Sequence, residues 1–307
     1  MSKKKKVLLI VIPIILIVVL VIAPLGISYG LYQSVFGLRY TSNPDQIRKL
    51  EYFSGLQRDR YEIKSNDGQT LVGYNYYFED KEDIKGVVIF SHGIGGGGHN
   101  SYMDFLYSLA QHDYFVFAYD ATGNDESEGD SVEGLPQGVI DLDHVITFVE
   151  QQEEFKDLPI GLMGHSWGGY CIASVLNEHP EVECVVSFAG FSKSSDLLEA
   201  QGKEMVGPVI YAFLPYMNLM ERVKFGNYAS QTGLEGFEKA NAKVLIFHGG
   251  KDDTVPKDYG YDLYYEKFAN DPNFEFVFAE NLGHNNILGE SNMVKAIDFF
   301  EENLNKS

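Results

Sequence analysis

Cysteine is almost absent from this chain, whose 307 residues include only Cys171 and Cys184. The two thiols do not have the spacing of a CxxC pair, so they form neither a cysteine zinc site nor a dithiol redox motif. Unpaired cysteine behaves as a small apolar side chain and is commonly buried. We therefore expect two buried thiols, and the sequence gives no support for a disulfide.

Basic residues are also few. The chain has 24 Lys and Arg against 44 Asp and Glu, and four of the lysines occupy residues 3–6, which leaves 20 for the remainder. A body this acidic repels phosphate backbones and anionic lipid surfaces, which excludes nucleic-acid binding as a function. With 45% apolar and 22% charged residues, the composition is that of a folded chain with a sizeable core.

One long apolar run stands at the amino terminus, where residues 7–27 carry no charge. At ~1.5 Å per helical residue, about 21 residues cross the ~30 Å hydrocarbon core of a bilayer. Pro13 and Pro24 do not exclude a span, because lipid-embedded helices tolerate proline. The preceding lysines predict a cytoplasmic amino terminus and an extracytoplasmic domain after residue 30. We therefore predict a single-pass membrane anchor at residues 1–30.

A cleaved signal peptide, which would release a secreted domain, is the alternative to an anchor. Its apolar part is typically about 7–15 residues long and ends in small residues at an A-x-A-like site. The run here is longer, and its best candidate site, Ser28-Tyr29-Gly30, is poor. A retained anchor is therefore favoured, and residues 31–59 are interpreted as a juxtamembrane connector with a helix around Asp45–Phe53.

Beyond residue 60 the sequence alternates between strand and helix patterns. Asn66-Asp67-Gly68 is a strong hairpin signal, and the apolar run Val87–Phe90 is typical of a strand covered on both faces. Regular alternation of this kind indicates an α/β fold with a mostly parallel sheet over residues 60–307. The eight expected strands are Tyr61–Lys64, Thr70–Phe78, Val87–Phe90, Tyr114–Tyr119, Ile160–Met163, Cys184–Ala189, Val244–Phe247 and Phe274–Phe278. The expected helices are Tyr102–His112, Gly138–Glu153, Trp167–Glu178, Asp258–Ala269 and Ser291–Asn303.

The alternation is interrupted at about residues 191–242, where some fifty residues stand in place of a single helix. Within them, residues 205–220 are rich in Tyr, Phe and Met. We predict a helical cap over the carboxyl ends of the strands, where ligands bind in open α/β sheets. The alternative is an ordinary pair of buried helices.

The pentapeptide Gly164-His165-Ser166-Trp167-Gly168 has the G-x-S-x-G pattern. Glycines two residues to either side allow a sharp turn from strand to helix that leaves the serine hydroxyl exposed at the sheet edge. An apolar strand pattern precedes the motif and small residues follow it. Ser166 is therefore the predicted nucleophile of a serine hydrolase, with a surface or capping serine as the alternative.

A serine nucleophile needs a base and an orienting carboxylate, which follow it in the order acid, then histidine, in this kind of fold. Among the later histidines, His284 lies in the loop after the last expected strand and is the predicted base. His179 is expected to cap a helix end. Asp252 and Asp253 both follow the preceding strand, and only one of two adjacent side chains can face the imidazole. The residues alone leave that choice open.

Residues 248–256 match the HGxxDxxVP block of the α/β-hydrolase superfamily. With the GHSWGG motif and the late histidine, residues 60–305 resemble the group containing serine aminopeptidases, monoacylglycerol lipases and related bacterial esterases. The chain is also similar to membrane-anchored bacterial hydrolases. The resemblance implies the α/β-hydrolase fold and a triad of Ser166, His284 and Asp252.

The glycine-rich run Ser91–Gly98 follows the third strand and is similar to the HGxGG loop of the family. The resemblance assigns the oxyanion hole to the backbone N–H groups of Ile94 and Trp167. No Gly-Lys-Ser/Thr follows, which excludes a phosphate-binding P-loop. His92 is expected to brace this loop.

The chain departs from these relatives after Tyr119, where an acidic stretch replaces an Arg-Gly-x-Gly-x-Ser sequence. Its acidic residues lack the spacing of an EF-hand, and we expect a solvated loop and no metal site. They are Asp120, Asp125, Glu126, Glu128 and Asp130.

The resulting prediction is an esterase-like serine hydrolase without cofactor or metal, acting on a small or apolar ester. A serine aminopeptidase or amidase acting on short peptides is the alternative, since an acidic rim could anchor a substrate ammonium. A membrane-tethered binding protein without catalysis is a third interpretation. The sequence does not specify an oligomeric state.

Overall fold

The computed structural model describes residues 3–45, 47–79 and 83–305. Eight strands form one sheet in the order β1-β2-β4-β3-β5-β6-β7-β8. The pairs β1–β2 and β2–β4 are antiparallel, and the other five pairs are parallel. The strands are β1 Gln57–Lys64, β2 Thr70–Tyr77, β3 Gly86–Ser91, β4 Tyr114–Asp120, β5 Ile160–His165, β6 Cys184–Phe188, β7 Lys243–Gly249 and β8 Phe274–Ala279. The predicted α/β-hydrolase-like fold with eight strands is confirmed.

Ten α-helices accompany the sheet within the described ranges. They are α1 Lys3–Ile17, α2 Ala23–Phe36, α3 Met103–Gln111, α4 Leu135–Glu150, α5 Trp167–Ser174, α6 Ser194–Val206, α7 Leu214–Phe225, α8 Gly233–Lys239, α9 Tyr261–Phe268 and α10 Glu290–Asn303. Two apolar clusters flank the sheet, because its central strands carry buried side chains on both faces. Cys171 and Cys184 are free and buried, as expected.

The predicted hairpin is present, with Lys64 opposite Thr70 across the turn. Gly68 adopts φ +83°, a conformation that glycine accepts without steric cost. β1 is longer than the predicted Tyr61–Lys64, because it begins at Gln57 and pairs there with Tyr77, whereas β2 begins at Thr70 as predicted and ends one residue before Phe78.

The amino-terminal helices are continuous. A π-helical turn, Val18–Ile22, joins α1 to α2, and the stretch Leu9–Phe36 is long and apolar enough to cross a membrane. The helix does not stop at residue 30. It continues to Phe36, and both Tyr32 and Phe36 are buried in the core of the hydrolase domain. The division of the chain at residues 30 and 59 stays a prediction.

The helix expected around Asp45–Phe53 is wrong. Residue 46 lies outside the described residues, and the described part of this stretch contains only the 3₁₀ turn Leu50–Tyr52. Earlier in the connector, the backbone of Tyr40 forms an isolated bridge with the segment after β4. Tyr40 donates to Gly123 O at 3.0 Å and accepts from the amide of Asp125 at 3.0 Å.

The interruption between β6 and β7 folds as a helical cap made of α6, α7 and α8 with short 3₁₀ turns between them. Leu197 and Gln201 of α6 face the cavity at the carboxyl ends of the strands. The cap also contacts α2, because the Ser28 hydroxyl donates to Phe213 O at 3.3 Å and the Tyr32 hydroxyl donates to Glu221 at 2.9 Å. The sequence indicated the cap but not this contact.

Candidate active site

Ser166 occupies the sharp turn between β5 and α5. Its backbone has φ 57° and ψ −116°, a strained conformation for a residue with a side chain. The flanking residues must be glycines, because a side chain at either position would clash with neighbouring backbone. A Cβ on Gly164 would lie 2.5 Å from the backbone of Gly168, and a Cβ on Gly168 would lie 1.9 Å from Ser91 O. Close packing of β5, β3 and α5 thus fixes the position of the serine.

His284 lies in the loop after β8 and reaches the serine. Its Nε2 is 2.9 Å from Ser166 Oγ, while its Nδ1 is 2.7 Å from Asp252 Oδ2. With the carboxylate accepting from Nδ1–H, Nε2 is left to accept the serine proton. Three residues predicted from three separate segments therefore form one hydrogen-bonded chain.

Asp252 is held by its own turn. Its Oδ1 accepts hydrogen bonds from the amides of Thr254 and Val255, both at 2.9 Å. Burial alone would raise the pKa of this carboxyl, but the hydrogen bonds from His284 and from the two amides outweigh it and hold the pKa below its usual range. Asp253 is exposed and lies beside Thr254. The geometry therefore brings Asp252, and not its neighbour, to the imidazole.

The other two late histidines are not hydrogen-bonded to Ser166, although His248 Nε2 lies 3.7 Å from Asp252 Oδ2. His248 is buried, bonds Val255 O at 3.1 Å and supports the turn that carries Asp252. Burial lowers the pKa of its imidazole. His179 lies just past a helix end, as expected, and its amide donates to Val175 O at 2.9 Å. Its imidazole contacts the carboxylates of Asp143 at 2.7 Å and Glu181 at 2.8 Å.

The glycine-rich loop lies beside the serine. Its brace is His92, as expected: Nε2 accepts from the Ala121 amide at 3.0 Å, and Nδ1–H donates to Gly93 O at 2.8 Å. Burial lowers the pKa of His92, which keeps the imidazole neutral for these two roles. Within the described ranges, the amides of Ile94 and Trp167 have no hydrogen-bond partner. Both are therefore free to donate to a ligand.

The expectation of a solvated acidic loop is wrong for two of its five carboxylates. Asp120 is fully buried and binds both the amide and Nδ1 of His99, at 2.9 and 2.7 Å. Asp125 accepts from the Gly98 amide at 2.8 Å and from the amide and hydroxyl of Ser42. These carboxylates are internal because they hold the glycine-rich loop and the connector in place.

Two further residues join the glycine-rich loop to the base loop. The Tyr102 hydroxyl accepts from the Gly93 amide at 3.1 Å and lies 2.9 Å from His165 Nδ1. His165 Nε2 lies 3.2 Å from His284 O. Burial, reinforced by the nearby His284, lowers the pKa of His165 to about 3, so its ring is neutral and can accept at one nitrogen while donating at the other. His165 stands within the serine motif, but no spacing rule pairs it with Tyr102.

A cavity of about 600 Å³ opens above the serine. Its wall consists of the glycine-rich loop, residues of the cap and the loops that carry the base and the acid. Besides Ser166 and His284, it includes the apolar residues Ile94, Leu197, Val255 and Leu288. Among the described residues, one cluster of possible metal ligands, Glu150, His179 and Glu181, lies outside this cavity.

Sequence comparison gives partial matches to known hydrolases. Residues 82–231 match the family model described as serine aminopeptidase, S33. Monoglyceride lipase of Mus musculus is 34% identical over 127 residues, which are 40% of this chain and 40% of that protein. Acylamino-acid-releasing enzyme of Rattus norvegicus is 25% identical over 201 residues, 60% of this chain and 26% of that protein. The chain thus spans less than half the length of these two curated relatives.

Structural comparison covers more of the chain. An esterase of Pyrococcus furiosus has a TM-score of 0.66 at 17% identity, covering 87% of this chain and 98% of that chain. An acylaminoacyl peptidase of Pyrococcus horikoshii has a TM-score of 0.65 at 19% identity, covering 84% of this chain and 43% of that chain. At such identities the likeness supports the fold. Together, the comparisons show an α/β-hydrolase-like fold and a similarity to serine aminopeptidases, monoglyceride lipases and acylaminoacyl peptidases.

Proposed function

We propose that the chain is a serine hydrolase that cleaves carboxylic esters through a covalent acyl-enzyme. Ser166 is the nucleophile, His284 the base and Asp252 the acid of the triad. The observation that carries the proposal is the chain of contacts from Ser166 Oγ to His284 Nε2 at 2.9 Å and from His284 Nδ1 to Asp252 Oδ2 at 2.7 Å. A binding protein without catalysis would not require a serine, a histidine and an aspartate linked by hydrogen bonds in this way.

In the first half-reaction, Ser166 Oγ attacks the ester carbonyl carbon while His284 Nε2 takes the hydroxyl proton. Asp252 holds the imidazole and stabilises the imidazolium. The tetrahedral oxyanion accepts from the amides of Ile94 and Trp167, and one such donor lowers the barrier by about 3–4 kcal/mol. The C–O bond then breaks, and the alcohol leaves with the proton from His284.

Water completes the second half-reaction in the same site. His284 removes a proton from the water, whose oxygen attacks the acyl carbon, and the oxyanion again lies between the two amides. Collapse releases the carboxylic acid, and the proton on His284 returns to Ser166 Oγ. Atoms and protons balance over the cycle, since one ester and one water give one alcohol and one acid.

The cavity wall favours an ester with an apolar acyl group over a peptide with a free amino terminus. A serine aminopeptidase needs an anion for the substrate ammonium, and the described residues of the wall include no carboxylate. Asp120 and Asp125, which a rim of that kind would use, are engaged inside the protein. Ile94, Leu197, Val255 and Leu288 instead offer apolar contacts to an acyl chain. The match to the serine aminopeptidase model keeps amide hydrolysis as the second candidate.

The direct test uses the full-length protein in detergent, with a fluorophosphonate probe and a series of p-nitrophenyl esters. Wild type should label and hydrolyse the esters, and Ser166→Ala should do neither. Equal labelling of the two proteins would refute the proposal. Hydrolysis of aminoacyl p-nitroanilides in preference to the esters would replace it by the aminopeptidase alternative.

We also propose that the amino-terminal helix is a retained anchor with a cytoplasmic amino terminus and an extracytoplasmic hydrolase domain. The packing of α2 supports retention, because the candidate cleavage site begins at Ser28, which is fully buried against the cap. A signal peptidase would have to unfold this contact to reach the bond. The mass of the mature protein in the membrane fraction tests the proposal, and loss of residues 1–30 would contradict it.

A further inference from the structure

The exposed face of α7 is apolar although the helix belongs to an acidic domain. Tyr216, Leu219, Met220 and Val223 follow the spacing i, i+3, i+4, i+7, which places them on one side of the helix. Leu219 is 53% exposed and Val223 is 80% exposed. The opposite side of the helix buries Met217, Glu221 and Phe225. The helix therefore carries an apolar stripe outward in addition to the apolar residues that it packs against the domain.

The segment that leads into this helix extends the apolar surface. Residues 205–220 contain no charged side chain, although charged residues make up 22% of the whole chain. Met205, Val209 and Tyr211 are 53%, 60% and 49% exposed. Large apolar side chains exposed together on one segment are typical of an interaction site. We call these three residues together with Leu219 and Val223 the cap surface.

The position at which the cap contacts the amino-terminal helix indicates what the cap surface binds. The Tyr216 hydroxyl bonds the carbonyl of Leu20, which lies inside the uncharged run of residues 7–27. Seven residues separate Leu20 from the end of that run, or about 10 Å at 1.5 Å per residue. A bilayer that surrounds the run therefore also surrounds the beginning of α7. The cap cannot stand clear of the membrane that holds the helix.

A groove lies between α2 and α7, close to the contact of the cap with the amino-terminal helix. It has a volume of about 310 Å³ and lies between Leu25 and Tyr29 of α2 and Leu219, Met220 and Val223 of α7. Three tyrosines are found in this region: Tyr29 lines the groove, Tyr211 lies in the 3₁₀ turn before α7, and Tyr216 lies in the first turn of α7. Tyrosine is enriched where a protein crosses the boundary between lipid and water. Apolar walls with tyrosines at that level fit the acyl chains and ester region of a lipid leaflet.

Helix α6 connects the cap surface to the active site. Leu197 and Gln201 line the candidate catalytic cavity, and Met205 stands exposed one turn after Gln201. We propose that the cap surface is embedded in the interfacial region of the bilayer that holds the anchor, so that the cavity takes its ester from the lipid phase. This inference rests on the proposed anchor and deepens the proposed esterase function. Because the chain has a formal charge of −20, anionic lipids repel it, and its attraction to the bilayer must come from apolar contacts. Zwitterionic or neutral lipids are therefore favoured.

Fluorescence quenching tests the inference on full-length protein in phosphatidylcholine vesicles. An environment-sensitive fluorophore is placed on Val223→Cys, on Asp67→Cys at the hairpin turn as an exposed control, and on Ile15→Cys within the span. Cys171 and Cys184 are buried, so they compete little for the label. A nitroxide near the headgroup end of the acyl chain should quench the probe at residue 223, and one near the methyl end should quench the probe at residue 15, which lies close to the middle of the uncharged run. Both lipids should leave the probe at residue 67 bright.

Each outcome decides between the proposals. Quenching at residue 15 with none at residue 223 overturns the cap inference and leaves the anchor intact. A probe at residue 223 that is shielded but unquenched shows contact with a second protein copy and also overturns it. Absence of quenching at residue 15 means that the anchor proposal itself fails.

Activity gives an independent readout. The double variant Leu219→Glu and Val223→Glu should lose roughly tenfold or more in kcat/KM on an ester embedded in vesicles, because charges remove the apolar contact with lipid. Hydrolysis of a short water-soluble p-nitrophenyl ester should be unchanged, since neither residue touches the cavity. The double variant Gln151→Glu and Asn270→Glu, which adds the same two charges at exposed positions outside the cap, serves as the matched control. Equal losses on both substrates, or on neither, would refute the inference.

Discussion

The hydroxyl of Tyr102 lies 2.9 Å from Nδ1 of His165, the last residue of β5 and the neighbour of the candidate nucleophile. The same hydroxyl accepts a hydrogen bond from the amide of Gly93, the residue before the proposed oxyanion donor Ile94. His165 continues the connection to the backbone of His284. The oxyanion loop and the base loop are therefore positioned relative to one another by side chains that do not react.

Removal of this hydroxyl should affect catalysis more than folding. In Tyr102→Phe the ring still packs against Phe90, while the Gly93 amide and His165 lose their shared partner. We expect kcat on a p-nitrophenyl ester to fall about tenfold, equivalent to ~1.4 kcal/mol, with KM nearly unchanged. Steady-state kinetics and the melting temperature check this. A fall in kcat that is matched by a large loss of melting temperature would show a merely structural role.

The two adjacent aspartates provide a matched pair of variants. Asp252→Asn should lower kcat by about 10²–10⁴-fold, because the amide cannot hold the imidazole in the required tautomer. Asp253→Asn should stay within about twofold of wild type, since its side chain is exposed and lies beside Thr254. Ester kinetics of both variants side by side decide the assignment, and a larger loss at Asp253 would reverse it.

The strained backbone at Ser166 predicts a difference between two inactive variants. Both Ser166→Ala and Ser166→Gly remove the hydroxyl that contacts His284, but only glycine accepts φ 57° and ψ −116° at low cost. Ser166→Gly should therefore be more stable than Ser166→Ala by about 1 kcal/mol, within the range for a strained residue. Chemical denaturation of the two variants measures the difference. An alanine variant at least as stable as the glycine variant would show that the turn stores no strain.

Glu221 makes the stability of the cap depend on pH. Burial raises its pKa to about 7, although hydrogen bonds from Ser194 and Tyr32 to the carboxylate act in the opposite direction. Because the folded state prefers the protonated acid, this group favours folding most below its ordinary pKa. Its contribution declines as pH rises from about 4.5 to about 7.

The variant Glu221→Gln keeps an acceptor for both hydroxyls and cannot ionise. Relative to wild type it should gain stability on going from pH 5 to pH 8, by about 1–3 kcal/mol in the free energy of unfolding. Thermal or chemical unfolding of both proteins at the two pH values measures the gain. A difference between the proteins that is the same at both pH values would mean that Glu221 does not ionise over this range.

Features with local signatures were predictable from the sequence. The strands followed from apolar runs and the hairpin turn, and the serine followed from glycines that are needed for close packing at Gly164 and Gly168. The place of His284 followed from its position after the last strand. These signals are local because they depend on backbone conformation and on residues a few positions apart.

Features that depend on distant contacts were not predictable. Asp252 is selected over Asp253 by how the turn closes on Thr254 and Val255. The sequence predicted a solvent-exposed Asp125, but its carboxylate accepts a hydrogen bond from Ser42, which is 83 residues away along the chain. The pairing of Tyr102 with His165 spans 63 residues. No local pattern encodes such partners.

The continuity of α2 has a consequence for proteolytic release and for truncated versions of the protein. Cutting after residue 30 leaves Tyr32 on a frayed end, and cutting after residue 36 deprives Glu221 of Tyr32 and removes Phe36 from the apolar cluster. A protease that sheds the domain would therefore also loosen the lid over its cavity. Attachment and integrity depend on the same helix, so a shed form would be a damaged one.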